Sequence, residues 1–487
     1  MRRRTRTPLL IAATLGVATA SVLAQAPPAS AEPECLTGSS DFDRDGTPDI
    51  AVGVPGGSGR AGAVQVRLSN KGKPVTTTVT GAPGFGTATT TLSSYAGRGD
   101  VALCSQLVVG SPDESARAGR PAGGVVHVYT YSTSTKSFVR RATFHPESPG
   151  MWGTDQPGAR FGAALAAEQR TAGGSQPPFA RLFVGSPNQE VWDSPESGQI
   201  TSFRIDDARV PEVQDPYTLD FGDEILGDSA PPSKAHLGAS LSVSGNLVVI
   251  GVPGQTVAGA ATAGSVIIDQ FGDVDGFLPR ELSQASPGVP GTAEAGDRFG
   301  TSVHLVAASG GRAPTLLVGT PGEDVGRLKD AGSVTVLRVS RSTGKTEGTV
   351  RTVDQNSAGM AGSAEADDQL GAAVSSVRYG SSIAYLVGAP GEDVGKARDA
   401  GMVQTIGNGK GWTQSTAGVP GTAEAGDRMG ASLAGSPATG AKKPLVGIPG
   451  EDLATGAVLV GLPIDGGSVS YLKGTRIGNR YGYSVAP

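Results

Sequence analysis

Short apolar runs recur along the chain between polar, glycine-rich segments, and seven of them end in Gly-x-Pro. The seven tripeptides are Gly53–Pro55, Gly110–Pro112, Gly185–Pro187, Gly251–Pro253, Gly319–Pro321, Gly388–Pro390 and Gly447–Pro449. Runs of this kind, bounded by Gly, Pro and Ser, are typical of β-strands. The intervals of 57 to 75 residues indicate a repeat architecture with one such strand in each unit.

Two further patterns accompany each Gly-x-Pro. A large apolar residue followed by Gly precedes every copy except the first: Phe85, Phe161, Leu237, Phe299, Leu370 and Met429. A small residue and Gly open a second β-rich run after each copy, as in AGAVQVRL from Ala61. One unit therefore predicts an apolar-Gly strand, the strand ending in Gly-x-Pro, a third strand and a weaker fourth. Four antiparallel strands make one propeller blade.

The two ends of the chain complement each other. The first unit lacks an apolar-Gly strand, whereas a seventh pair, Tyr481–Gly482, follows the last Gly-x-Pro. If the strand from Arg480 to Pro487 completes blade 1, the ring closes and no long edge stays unpaired. We therefore predict an all-β, seven-bladed β-propeller over residues 32–487, closed by the C-terminal strand. The alternative, an open stack of sheets, would leave the first blade one strand short.

The N-terminus predicts export. A basic start at Arg2 to Arg6, an apolar run from Leu9 to Ala24 and small residues up to Ala31 form a secretory signal peptide over residues 1–31, cleaved after Ala31. A membrane anchor is the weaker alternative, because Pro27 and Pro28 follow a run that is short for a bilayer span. We expect a secreted, extracellular protein without a membrane span.

Charge and cysteine content narrow the partners. The net charge of −5 becomes −9 without the four arginines of the leader, and no Lys/Arg cluster remains to bind nucleic acid or an anionic membrane. In an oxidising compartment the two cysteines predict one disulfide, Cys35–Cys104, with two separate buried thiols as the alternative. We expect a monomer.

The alternation of apolar-Gly and Gly-x-Pro resembles the FG-GAP repeat, the module of the seven-bladed propeller in integrin α subunits and many secreted bacterial proteins. The resemblance covers nearly all of the mature chain. It implies that the loops between blades and the loops between strands two and three open on one face. In integrins that face binds ligands.

The segment DFDRDGTPD, from Asp41 to Asp49, predicts a calcium site. Alternate carboxylates on a tight loop surround a hard cation with oxygen, and Gly46 permits the sharp turn. An EF-hand would need a glutamate where Val52 stands. The resemblance instead implies the FG-GAP calcium loop, with these Ca²⁺ ligands: the side chains of Asp41, Asp43, Asp45 and Asp49 and the backbone carbonyl of Thr47. The alternative is an aspartate-rich turn without metal.

Acidic and aromatic residues in the loops of the implied ligand face are candidates for binding a partner. The acidic candidates are Glu323, Asp324, Glu392, Asp393, Glu451 and Asp452, in three repeated loops. The alternative is that these carboxylates hold turns through backbone N–H groups or pair with nearby arginines. Trp152 and Trp192 are the aromatic candidates, because exposed indoles stack on sugars or anchor proteins. The expected partner is an extracellular protein or carbohydrate.

No catalytic motif is present in the sequence. The four histidines are scattered singly, and neither HExxH nor GxSxG occurs. We therefore predict that the chain is a binding module and not an enzyme, because the propeller leaves no room for a separate catalytic domain. The alternative is an extracellular hydrolase or lyase that uses carboxylates at the centre of one propeller face.

Overall fold

The strands that the repeat predicts form seven four-stranded antiparallel sheets in the computed structural model of the chain. The structure describes residues 40–56, 59–92, 105–170, 179–205, 212–221, 231–271, 279–307, 312–379, 382–435, 443–464, 467–474 and 480–486. The predicted signal peptide and both cysteines of the predicted Cys35–Cys104 disulfide lie outside these residues.

Each sheet is one blade. Blade 1 contains β1 (Ile50–Val54), β2 (Ala63–Leu68), β3 (Val75–Thr80) and the C-terminal β28 (Ser484–Ala486). Blade 2 contains β4 (Ala88–Leu92), β5 (Gln106–Ser111), β6 (Val125–Ser132) and β7 (Ser137–Phe144). Blade 3 contains β8 (Ala164–Arg170), β9 (Phe179–Ser186), β10 (Gln199–Ile205) and β11 (Gln214–Leu219). Blade 4 contains β12 (Ser240–Ser244), β13 (Leu247–Val252), β14 (Ser265–Gln270) and β15 (Arg280–Leu282).

The last three blades follow the same order. Blade 5 contains β16 (Ser302–Val306), β17 (Thr315–Thr320), β18 (Ser333–Val339) and β19 (Thr346–Val353). Blade 6 contains β20 (Ala373–Tyr379), β21 (Ser382–Ala389), β22 (Met402–Thr405) and β23 (Gly411–Trp412). Blade 7 contains β24 (Ser432–Ala434), β25 (Leu445–Ile448), β26 (Ala457–Val460) and β27 (Ser470–Lys473).

Helix is nearly absent from the described residues. A 3₁₀ turn spans Asn70–Gly72, and α1 spans Glu451–Ala454. No helix in the described part of the chain has the length and apolar character needed to cross a membrane.

The C-terminal strand closes the ring, as predicted. β28 pairs antiparallel with β1, with Ala486 opposite Ala51 and Val485 opposite Val52. Blade 1 is therefore assembled from both ends of the chain, whereas each of the other six sheets is formed by consecutive strands. The predicted seven-bladed propeller with four antiparallel strands per blade is confirmed.

The glycines of the repeat allow neighbouring blades to approach closely. A Cβ on Gly251 of blade 4 would lie 2.1 Å from the carbonyl oxygen of Gly300, which enters blade 5. Gly300 itself has φ +90°, a left-handed conformation that glycine adopts without strain. The buried Phe299 forms an isolated bridge with Gly264, a turn follows at Gly300, and the strand begins only at Ser302. The predicted apolar-Gly strand thus starts after its motif, because the left-handed glycine is incompatible with a regular strand.

The core is divided among the interfaces between blades. Seven clusters of buried apolar side chains lie between neighbouring blades of the described chain, one at each interface. The cluster between blades 4 and 5 contains thirteen buried residues, including Phe299 and Leu316. The cluster between blades 7 and 1 contains six, including Val52 and Tyr481. The interface that closes the ring therefore has the smaller apolar core.

Two kinds of loop share one face of the ring. The loop between the second and third strands of a blade meets the loop that enters the next blade. Between blades 4 and 5, for example, the N–H of Phe299 donates to the carbonyl of Ala263 at 2.8 Å. We call this side the loop face. The segment that precedes β1 lies at the opposite end of blade 1.

Candidate calcium loop and ligand face

An aspartate-rich loop enters blade 1 directly before β1. Carboxylate oxygens of Asp41, Asp43 and Asp49 lie within 4.8 Å of one another. Asp41 and Asp49 are buried, with 2% and 1% of their surface exposed. Three carboxylates that converge in this way offer the all-oxygen donor set that Ca²⁺ prefers. The structure therefore brings together three of the four aspartates predicted to bind the ion.

Hydrogen bonds inside the loop hold these carboxylates in place. Asp41 accepts the backbone N–H of Gly46 at 2.9 Å, and Gly46 has φ +89°. Asp49 accepts the backbone N–H groups of Phe42 and Ser69 at 2.8 and 2.7 Å. Phe42 is buried in the core between blades 1 and 2 and anchors the loop there.

Asp45 and the carbonyl of Thr47, the other two predicted ligands, contact Ser69. The hydroxyl of Ser69 donates to the Asp45 carboxylate at 3.0 Å, and it also lies 3.3 Å from the carbonyl oxygen of Thr47. Asp45 Oδ1 accepts the backbone N–H of Thr47 at 2.7 Å. These two groups thus lie beside the three-carboxylate cluster, and a hydroxyl that no sequence motif marked joins them.

Burial raises the pKa of each carboxyl group in the cluster. For Asp49 burial is the main cause and raises the pKa to about 7, although the N–H groups of Ser69 and Phe42 act in the opposite direction. Burial also raises the pKa values of Asp41 and Asp43, and the neighbouring Asp45 adds to this. Carboxylates crowded in this way repel one another, and a bound divalent cation would relieve that repulsion. The donor set fits Ca²⁺.

The predicted glutamates of the ligand face have partners within the protein. Glu323, Glu392 and Glu451 each accept the side-chain amide of a glutamine at 2.5 to 2.7 Å. The glutamines are Gln284, Gln355 and Gln414, respectively, and each lies in the loop that enters the same blade. Glu451 also accepts the hydroxyl of Tyr471. These carboxylates connect two loops of one blade.

The predicted aspartates of the same loops are also engaged. Asp324 accepts the backbone N–H of Asp330 at 3.0 Å, and Asp393 accepts that of Asp399 at 2.9 Å. Asp452 pairs with Lys473. The arrangement favours the alternative in which the repeated carboxylates hold turns.

A second set of carboxylates repeats in the loops that enter blades 5 to 7. Asp297, Asp368 and Asp427 each accept, at 2.6 Å, the backbone N–H of the glutamate three positions earlier. Burial raises the pKa of Asp297 to about 6 and those of Asp368 and Asp427 to about 7. Burial, aided by the nearby Asp297, raises the pKa of Glu323 to about 7.

Both predicted tryptophans are exposed on the loop face. Trp152, in the loop entering blade 3, is 77% exposed, and Trp192, between β9 and β10, is 62% exposed. The two loops are tied together by the side chain of Gln156. Its amide oxygen accepts the N–H of Glu190 at 2.8 Å, and its amide nitrogen donates to the carbonyl of Glu190 at 3.1 Å. The two indoles therefore stand on adjoining, braced loops.

Trp192 occupies the tip of a tight turn. Val191 and Ser194 bridge across the turn, and Trp192 has φ 48°. The equivalent tip in blades 4, 5 and 6 begins with Ala258, Gly326 and Gly395, all with positive φ. The repeat thus places a small residue in this left-handed position, and blade 3 alone among these four places an exposed tryptophan there.

The sequence pattern did not predict a basic cavity on the loop face. Arg60, Arg160, Arg480 and Tyr483 are among the residues that line it, and its volume is about 220 Å³. A signal was present, because Arg160 and Arg480 directly precede an apolar-Gly pair. It could not be interpreted without the fold, since the lining residues come from loops far apart in sequence.

Comparison with known proteins gives one family match and one structural likeness at low sequence identity. The model of the FG-GAP repeat matches residues 37–66. A search of curated protein sequences gives no match. Among solved structures, a periplasmic gluconolactonase from Pseudomonas aeruginosa is similar, with 14% sequence identity and a TM-score of 0.46 over 89% of this chain and 97% of that protein.

This structural comparison corrects the prediction that the chain is not an enzyme. That prediction rested on the absence of room for a separate catalytic domain. The similar structure is that of a gluconolactonase, an enzyme by its name, and the lack of room for a separate catalytic domain does not exclude catalysis. At this identity and TM-score the likeness assigns no activity to the present chain. What the comparisons and the structure establish together is that the chain carries an FG-GAP repeat in a seven-bladed β-propeller.

Proposed function

We propose that the chain is a secreted, calcium-stabilised binding module whose loop face holds an extracellular protein or glycan at blade 3. The observation that carries the proposal is Trp192, which is 62% exposed and has φ 48° where blades 5 and 6 have glycine. A left-handed conformation costs a non-glycine residue roughly 1–2 kcal/mol. An exposed indole regains little of this free energy by packing within the protein. We therefore infer that Trp192 serves binding rather than folding.

The neighbouring loop supports this interpretation. Trp152 presents a second exposed indole, and Gln156 fixes its loop against that of Trp192. Rigid aromatic side chains on braced loops lose little conformational entropy when they bind a partner. Indoles also recur among the residues that dominate binding energies.

A glycan array and a pull-down from extracellular fluid, with the mature protein and Ca²⁺, test the proposal. Trp192→Gly restores the residue of the repeat, so we expect binding to weaken at least about tenfold while the melting temperature is unchanged or higher. Leu453→Ala is the control, because Leu453 is 80% exposed in a loop of blade 7. Unaltered binding by Trp192→Gly together with a lower melting temperature would assign the indole a structural role instead.

Calcium has a structural role in this proposal. Asp41, Asp43 and Asp49 would hold the ion at the end of blade 1 opposite the loop face. At about 1 mM Ca²⁺ and a dissociation constant on the order of 10 µM, linkage adds roughly 2.7 kcal/mol to the free energy of unfolding. Export through the signal peptide of residues 1–31 would place the protein in an extracellular medium, where calcium at that concentration could bind.

A hydrolase or lyase at the centre of one face is the second candidate function. The pKa values of about 7 for Glu323, Asp368 and Asp427 favour it, because a general acid must stay protonated near neutral pH. Their hydrogen bonds within the protein count against it. Turnover of ester or glycoside substrates that is lost in Asp427→Asn, with the fold retained, would support this candidate, and an absence of turnover would remove it.

A further inference from the structure

The residue before each apolar-Gly pair occupies one equivalent position on the loop face. Six of the seven residues at this position are polar and have positive φ: Arg160, His236, Arg298, Gln369, Arg428 and Arg480. The seventh is Gly84, also with positive φ. The chain therefore presents arginine at four of seven positions in a shared backbone conformation.

The basic cavity lies where this set of residues meets the closing blade. Arg160 and Arg480 belong to the set, and Arg60 comes from the loop between β1 and β2. Among the described lining residues Asp113 is the one carboxylate, and it pairs with Arg160 at 3.2 Å. Since Asp113 pairs with Arg160, no carboxylate among the described lining residues stands against the guanidinium group of Arg480, and the described lining has a net positive charge.

The lining also includes groups that suit a sugar. Tyr483 is 42% exposed and presents an aromatic ring and a hydroxyl, and Thr87 adds a second hydroxyl. Guanidinium groups bind carboxylate, sulfate and phosphate in a two-point geometry. The volume of about 220 Å³ is below the roughly 300–1,000 Å³ of most small-molecule sites, so one ring of a larger ligand fits better than an extended molecule.

We propose that this cavity binds one acidic sugar ring of an oligosaccharide, with its carboxylate or sulfate on the guanidinium group of Arg480 and its ring against Tyr483. The inference rests on the proposed function, since it names the chemical class of one ligand of the loop face. It adds a charged subsite, formed by loops of blades 1, 2 and 3, to the indoles of blade 3.

Titration calorimetry on the mature protein tests the subsite. The ligands are a glucuronate-containing oligosaccharide, its carboxyl-reduced counterpart, and a sulfated oligosaccharide of equal length. The test variant is Arg480→Gln, and its fold is protected because Gln369 already occupies the equivalent left-handed position. Arg428→Gln is the matched control, with the same substitution at the same repeat position outside the cavity.

We expect an acidic oligosaccharide to bind at least about tenfold more tightly than the reduced one, and Arg480→Gln to remove that difference while Arg428→Gln preserves it. Preference for carboxylate or for sulfate identifies the group and supports the subsite in either case. Equal binding of the reduced sugar, equal loss in both variants, or no loss in Arg480→Gln would overturn it. If no acidic sugar binds while Trp192-dependent binding persists, the subsite fails and the proposed function stands.

Discussion

Blade 1 and blades 5 to 7 have the same four-stranded sheet but differ in the contacts that stabilise it. Blades 5 to 7 are contiguous in sequence, and their repeated acidic loops find partners within the blade, as Glu323 does with Gln284. Blade 1 takes β28 from the other end of the chain, and its interface with blade 7 buries six apolar residues, against thirteen between blades 4 and 5 of the described chain. We therefore expect the closing blade to depend more than the others on additional stabilising contacts.

The difference shows how to interpret acidic residues in a repeat protein. The carboxylates that recur in blades 5 to 7 accept hydrogen bonds from glutamines that recur with them. Their repetition therefore reflects a structural role. The carboxylates of Asp41, Asp43 and Asp49 occur once and converge on one another, and burial together with neighbouring carboxylates raises their pKa values. Trp192 and the calcium loop depart from the repeat, and they are therefore positions at which we propose that a ligand or an ion binds.

Deletion of residues 480–487 has the largest expected effect. It removes β28 and the buried Tyr481, whose loss alone compares with a large core truncation of about 3–5 kcal/mol. It also leaves β1 with an unpaired edge. We expect the melting temperature to fall sharply and aggregation to increase in thermal denaturation. A truncated protein that melts at the wild-type temperature would show that the ring does not need its closing strand.

Calcium removal should have the next largest effect, a loss of about 2.7 kcal/mol relative to calcium at a hundredfold excess over the dissociation constant. Asp49→Asn should abolish the calcium-dependent rise in melting temperature, because it removes a buried carboxylate of the cluster. Asp324→Asn is the matched control, in an acidic loop of blade 5. A calcium response that survives in Asp49→Asn, or that disappears equally in Asp324→Asn, would contradict the assignment.

Glu451→Ala should destabilise blade 7 by about 1–3 kcal/mol without changing the calcium response. The substitution leaves the amide of Gln414 and the hydroxyl of Tyr471 without their common acceptor. Glu451→Gln keeps an acceptor oxygen and should recover part of the loss. Urea denaturation with and without calcium measures both variants. A loss that depends on calcium would connect blade 7 to the ion and break the contrast with blade 1.

The sequence predicted the frame of the molecule because its signals are local. Gly251 indicates a close approach of two backbones, and the large apolar side chain of Phe299 indicates a buried position. The incomplete first and last units of the repeat predicted that the C-terminal strand closes the ring. Ser69 could not be predicted as a partner of Asp45, since the contact joins the end of β2 to the loop before β1. The left-handed backbone of Trp192 could not be predicted either, because nothing in a tryptophan favours that conformation.

The pH response should differ between the two regions. Burial raises the pKa of Asp427 to about 7 in the folded state, above its ordinary 3.8, so the folded state holds more protons between pH 4 and 7. Stability without calcium therefore falls as the pH rises through this window, by about 1 kcal/mol after allowance for solvent screening. Asp427→Asn should reduce the dependence in melting curves at pH 5.5 and 8, and the part that remains belongs to groups such as Asp368 and Glu323, whose pKa values burial also raises. Calcium binding at blade 1 has the opposite sign, because its ligands must be deprotonated.

The smallest expected effect on stability comes from two exposed ion pairs that look alike. Arg298 pairs with Asp330 in blade 5, and Arg160 pairs with Asp113 beside the basic cavity, both at 3.2 Å. Asp330→Asn and Asp113→Asn should each change the free energy of unfolding by less than about 0.5 kcal/mol, since exposed pairs are screened by water. Only Asp113→Asn removes a negative charge from the cavity. Asp113→Asn should therefore tighten the binding of an acidic oligosaccharide, as measured by calorimetry. Equal affinities of the two variants would mean that the charge of the cavity does not act on the ligand.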